Sequence, residues 1–162
     1  MNAFLEVFAA LESAQVRYLV VGGVAAALHG VPRMTADIDL AIALDDDNAT
    51  RVIEVLLDLG FAPRAPVNPL DFANERARES WIRDKSLTVF SLQSASPIPV
   101  EVDILATNPF DFETAWEART VKDVGGVSVN VVDRNRLIEM KERVGRPVDL
   151  EDAAALKELS DG

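Results

Sequence analysis

Asp37 and Asp39 stand one residue apart in DIDLAIAL, a stretch whose other members are apolar. In an extended strand successive side chains point to opposite faces, so the two carboxylates share one face while Ile38, Leu40 and Ile42 share the other. Their α-carbons are roughly 6.6 Å apart, and anions that close repel each other unless something positive sits between them. A divalent cation meets that need, because Mg2+, or Mn2+ in its place, takes hard oxygen ligands and is held by a few carboxylates together with substrate phosphates. VEVDIL repeats the pattern: Glu101 and Asp103 share one face and Val100, Val102 and Ile104 the other, which makes Asp103 a third candidate ligand. Ahead of the Asp pair, Gly22-Gly23 closes the apolar run VRYLVV and opens VAAALHG. Glycine there lets the backbone approach a phosphate, and the free N–H groups at the start of the helix form an anion site. Three carboxylates near such a turn are the parts needed to bind a triphosphate through metals and backbone amides.

These residues need a scaffold, and the chain punctuates itself clearly enough to outline one. MNAFLEVFAALESAQ places Phe4, Val7, Phe8 and Leu11 at helical spacing, with acidic rather than basic residues, so it reads as an amphipathic helix and not as a signal peptide. VRYLVV (16–21) is a strand; VAAALHG is a short helix ended by Gly30 and barred from continuing by Pro32. DIDLAIAL is the next strand. Asp45, Asp46, Asp47 and Asn48 complement the dipole of the helix ATRVIEVLLDLG, which Gly60 ends. Residues 61–84, with Pro63, Pro66 and Pro69, predict an irregular connection and one short helix. SLTVFSL (86–92) and PVEVDIL (99–105) predict a hairpin, 109–118 a helix, and VSVNVVD (127–133) a strand after the Gly125-Gly126 turn. The helices RNRLIEMKERV and LEDAAALKEL, split by Gly145 and Pro147, complete the chain. The order predicts an α/β (α+β) fold: a mixed β-sheet with flanking helices and two C-terminal helices, in a single domain over 1–162.

The 162 residues are 49% hydrophobic and 27% charged, the balance of an ordinary globular protein. The absence of cysteine excludes disulfides, thiolate zinc sites and cysteine nucleophiles together, and fits a cytoplasmic location. No apolar run reaches membrane-spanning length, so no membrane partner is expected. The net charge of −11 rules out attraction of the whole surface to a nucleic-acid backbone. One local basic stretch remains: Arg76, Arg78, Arg83 and Lys85 around Trp81, diluted by Glu75, Glu79 and Asp84, reads as a solvated helix face or as a substrate-facing rim.

A strand, Gly-Gly, a short helix, then Asp-x-Asp and a distant third Asp on another strand: this order resembles the nucleotidyltransferase superfamily that includes DNA polymerase β. GGVAAALHGVPRMTADIDL with RLIEMKERVGRPVDLEDAAAL is similar, more narrowly, to the small bacterial nucleotidyltransferases of the abortive-infection, type IV toxin group. The resemblance covers 16–43, is supported at 98–105 and 131–157, and says nothing of 61–97. It implies that Asp37 and Asp39 are metal ligands and that Asp103 binds the catalytic metal and helps to deprotonate the acceptor. Gly22 and Gly23 would hold the β- and γ-phosphates; many superfamily members carry Gly-Ser there, so one hydroxyl contact is missing. Arg33 and Thr35 would reach the phosphates or the acceptor. Lys141 matches a family lysine near the triphosphate, and Arg146, Asp149 and Asp152 belong to the same terminal motif.

The reaction so implied is attack of an acceptor hydroxyl on the α-phosphorus of an NTP, with pyrophosphate leaving and two metals roughly 3.5–4 Å apart. The acceptor divides the readings. A toxin-like enzyme would modify RNA such as a tRNA end and be restrained by a cognate antitoxin. A resemblance to aminoglycoside and lincosamide nucleotidyltransferases implies a drug hydroxyl, to which an acidic surface is better suited. An antitoxin would transfer AMP from ATP to a tyrosine of its partner toxin, and a non-catalytic interaction module would keep the fold without turnover. For His29, near a helix C-terminus whose dipole favours protonation, the alternatives are a structural role and substrate contact. Asp149 is expected as a helix N-cap with Asp152 at the third helical position.

Overall fold

The computed structural model describes residues 2–159. A single seven-stranded mixed sheet runs in the order β3-β4-β5-β2-β1-β7-β6. Its strands are β1 Tyr18–Val21, β2 Asp37–Ile42, β3 Ala62–Pro63, β4 Val89–Gln93, β5 Glu101–Leu105, β6 Thr120–Val124 and β7 Val127–Val131. Among the described residues seven α-helices flank it: α1 Ala3–Ser13, α2 Gly22–His29, α3 Asp46–Asp58, α4 Glu75–Lys85, α5 Phe112–Glu117, α6 Arg134–Val144 and α7 Pro147–Glu158. The α/β class, the mixed sheet and the two C-terminal helices agree with the sequence reading.

Strand alternation gives the central strands β4, β5 and β2 one apolar face. Ile38, Leu40, Val102 and Ile104 are fully buried, beside Phe90 of β4. Phe72, in a 3-10 turn over Pro69–Ala73, stacks on Phe90 with ring centroids 4.7 Å apart, and Trp81 of α4 packs on the same ring at 5.9 Å. α3 adds Val52, Ile53 and Leu56 to this core, and Asp45 caps it by accepting from the Asn48 N–H. α2 packs on β1 and β2 and touches α6 and α7, which fold back as an antiparallel pair. The cleft-facing side of β2 and β5 is thus left to their carboxylates.

The connection after α3 holds β3 and the 3-10 turn, neither of them expected; the one helix expected there is α4, eleven residues long and reaching Lys85, over the stretch around Trp81 that reads as a helix face. Its apolar content is low, and it is fixed at its ends: the Asn74 side chain accepts from Ala77 N–H, and Ser86 ends it in the left-handed conformation. β6 was not foreseen; it is the partner that Gly125-Gly126 turns β7 against.

Candidate active site

β2 and β5 run parallel, in a register that sets Asp37 opposite Glu101 and Asp39 opposite Asp103. β4, antiparallel on the far side of β5, brings Gln93 beside Glu101 and Ser91 beside Asp103. Four carboxylates therefore stand as two adjacent rungs on one face. Asp37, Glu101 and Asp103 each offer an oxygen within 4.8 Å of the others, while Asp39 stands outside this trio with its Oδ2 against Gly22.

The glycine turn meets this cluster because β1 pairs with β2, Val21 opposite Asp39. Gly22 has φ +68°, and a Cβ there would fall on Asp39 Oδ2, so both conformation and space demand glycine. α2 begins at Gly22, and no side chain caps its first N–H groups. A Cβ on Gly23 would lie 3.1 Å from Arg33 Cζ and 3.1 Å from Thr35 Oγ1. Arg33 and Thr35 thus overlie the turn, and Thr35 brings a hydroxyl close to where a Gly-Ser sequence would carry one. The Thr35 hydroxyl also donates to the Asp37 carbonyl at 3.3 Å.

α6 and α7 supply the opposite wall. Lys141 is buried, its Nζ 2.8 Å from Asp152 and 3.8 Å from Asp149. Arg33 pairs with the same Asp152. Arg146 donates through Nε and Nη2 to Asp149 at 2.7 and 3.2 Å. Gly22, Gly23, Arg33, Thr35, Asp37, Asp39, Asp103 and Lys141, the eight residues the sequence singles out, all line one cleft of about 430 Å³, walled on the helix side by Leu137, Met140, Val144 and Val148.

The carboxylates are held where their charge is disfavoured. Burial, then the charges of Asp103 and Asp37, push Asp39 up to about 7, against the pull of Lys141. Asp103 is raised by burial and by repulsion from Glu101 and Asp37, with the Ser91 hydroxyl working the other way. Asp37 is raised by burial and by Glu101, which Arg64 partly offsets. Asp103 Oδ1 is buried without a hydrogen-bond partner. A hard oxygen donor set with an orphaned buried oxygen fits a divalent cation.

Glu101 is the residue the sequence reading passed over. Its signal was present, since Glu-x-Asp on β5 mirrors Asp-x-Asp on β2, but only the register places it level with Asp37. Other readings need correction. Arg146, not Asp149, is the N-cap of α7: Pro147 occupies the first helical position, and Asp149, at the third, reaches back to the Arg146 N–H at 3.3 Å. Asp152 sits a turn deeper and is buried. His29 bonds through Nε2 to the Val132 carbonyl at 2.7 Å, and burial lowers its pKa, outweighing that hydrogen bond; it is held by the scaffold and does not line the cleft. Arg78 is buried as well, donating to the carbonyls of Phe72 and Leu44, so the basic stretch is not a continuous patch.

The family model of aminoglycoside-2″-adenylyltransferase matches residues 3–156, nearly the whole chain. The chain belongs to the aminoglycoside-2″-adenylyltransferase family. It is thus a nucleotidyltransferase enzyme, and the superfamily resemblance holds. No curated protein matches the chain in sequence. Solved structures share its fold at low identity. A lincosamide antibiotic adenylyltransferase, LnuA, with lincomycin bound, superposes with a TM-score of 0.64 at 16% identity, over 97% of this chain and 96% of that one. ANT(2″)-Ia in complex with adenylyl-2″-tobramycin gives 0.58 at 14% identity, over 94% and 84%. An antigenic nucleotidyltransferase-like protein from Paracoccidioides brasiliensis gives 0.56 at 20% identity, over 96% and 76%. Among the described residues no helix is long and apolar enough to cross a membrane.

Proposed function

We propose that this family member is a single-domain, Mg2+- or Mn2+-dependent adenylyltransferase that moves AMP from ATP to a hydroxyl of a small cationic acceptor of the aminoglycoside or lincosamide type. The observation that carries the reading is the register of β2 against β5, which sets Asp39 beside Asp103 and Asp37 beside Glu101, directly under the glycine turn. Family membership supports adenylyl transfer, and the net charge of −11 favours a cationic acceptor over tRNA.

In this reading the triphosphate lies against the open N–H groups at Gly22 and Gly23, with Arg33, Thr35 and Lys141 around it. Asp37, Glu101 and Asp103, with Asp39 beside them, would hold the divalent cation, which would supply charge stabilisation of the phosphoryl oxygens. The acceptor hydroxyl loses its proton to the Asp103 carboxylate. Its oxygen forms the bond to the α-phosphorus as the bond from that phosphorus to the bridging oxygen of the β-phosphate breaks, and pyrophosphate leaves. The protein contributes position and charge rather than covalent chemistry.

The test is transfer of label from α-32P-ATP to a panel of aminoglycosides, lincosamides, tRNA and protein. Labelled drug with Mg2+, abolished in Asp103→Asn, supports the proposal. Label in tRNA supports the toxin-like reading instead, label in a partner protein the antitoxin reading, and ATP binding without transfer to any acceptor contradicts the proposal.

A further inference from the structure

One carboxylate stands behind two cations of the cleft. Asp152 accepts from Arg33 Nη1 and lies 2.8 Å from Lys141 Nζ, with only 7% of its side chain exposed. Arg33 and Lys141 line the cleft; Asp152 does not, and borders instead a recess beyond Arg33 with Val31, Met34 and Ala155.

The two cations come from unrelated elements. Arg33 lies between α2 and β2, in a segment without regular structure, so its backbone alone does not fix the guanidinium. Lys141 comes from α6. Two like charges facing one cleft repel, and a buried anion between them removes the repulsion while setting their spacing. Asp149 does not substitute for it, because its oxygens are engaged by Arg146 at 2.7 and 3.2 Å and Lys141 is 3.8 Å away. Arg33 Cζ is in turn pressed against Gly23.

We propose that Asp152 is a positioning residue for the nucleotide: from α7 it sets Arg33 and Lys141 side by side over the Gly22-Gly23 turn, so that both meet the triphosphate together. The proposal rests on the nucleotide reading of the cleft. It differs in sign from a role in charge neutralisation. Arg33, Lys141 and Arg146 against Asp149 and Asp152 make three positive and two negative charges, a net of one positive. Removing the charge at 152 raises that net to two, so charge alone would tighten ATP binding, whereas lost positioning weakens it.

Calorimetric titration with ATP and Mg2+ separates these for the wild type, Asp152→Asn, Arg33→Gln and the double variant. The proposal predicts that Asp152→Asn weakens ATP roughly tenfold or more, and that the same change costs clearly less once Arg33 is gone. Unchanged or tighter binding by Asp152→Asn, or an equal loss in both backgrounds, overturns it. Should Asp152→Asn alone not fold, the double variant, which keeps the wild-type net charge, decides: affinity close to that of Arg33→Gln supports the proposal, and a further tenfold loss contradicts it. A wild type that binds no ATP overturns the nucleotide reading itself, and this proposal with it.

Discussion

Asp39 is half-buried among other carboxylates, and Lys141 and Arg146 pull the other way. Without metal its ionised form strains the fold, so Asp39→Asn is expected to raise the melting temperature at pH 8 while abolishing any rise caused by Mg2+ and ATP. Calorimetry with and without Mg2+ checks both halves. Gly22 is constrained from the other side of the same contact. Gly22→Ala must adopt a positive φ and displace Asp39, at a cost of roughly 1–3 kcal/mol, with loss of nucleotide binding; a denaturant midpoint equal to wild type would refute the packing described. His29 adds a pH dependence of the opposite sign. Its folded pKa is lowered by burial, so its contribution to stability is fully present above the unfolded value near 6.5 and is lost as pH falls through the folded pKa. The stability difference between wild type and His29→Gln should therefore be flat above about pH 6.5 and shrink below it.

Elements turn these residues into a site, and here the sequence was uneven. The strand carrying Asp37 and Asp39 and the hairpin carrying Asp103 were legible, because strict alternation and a glycine turn are local signals. The adjacency of Asp39 and Asp103 was not, since nothing local records a parallel register between strands some sixty residues apart in sequence. For the same reason Glu101 went unremarked as a site residue, and the shared partner of Arg33 and Lys141 on α7 was invisible. α4 was expected as a helix, but its start was not, because end-capping by Asn74 rather than an apolar stripe defines it. Phe72 offers a control at this scale: it stacks on the face of the sheet opposite the carboxylates. Phe72→Ala should destabilise by about 3–5 kcal/mol yet leave the affinity of the folded protein for ATP unchanged in titrations below its unfolding range.

At the scale of the whole molecule, the proposed cationic acceptor meets an acidic chain. With a net charge of −11, association with a polycationic drug is accelerated by long-range attraction and slowed by salt. The kcat/KM for a cationic acceptor should fall as ionic strength rises from 0.02 to about 0.3 M, whereas a tRNA substrate would show the reverse. The carboxylate rungs and the glycine turn are proposed to bind a nucleoside triphosphate through a divalent cation. Thermal unfolding of the wild type and of Asp39→Asn with ATP, with and without Mg2+, tests it most directly, because a ligand that binds only the folded state raises its stability by mass action, by about 2.7 kcal/mol at a hundredfold excess over Kd. The account predicts a rise for the wild type that requires both ATP and Mg2+ and is absent from the variant; no rise in the wild type, or one that survives in Asp39→Asn, would contradict it.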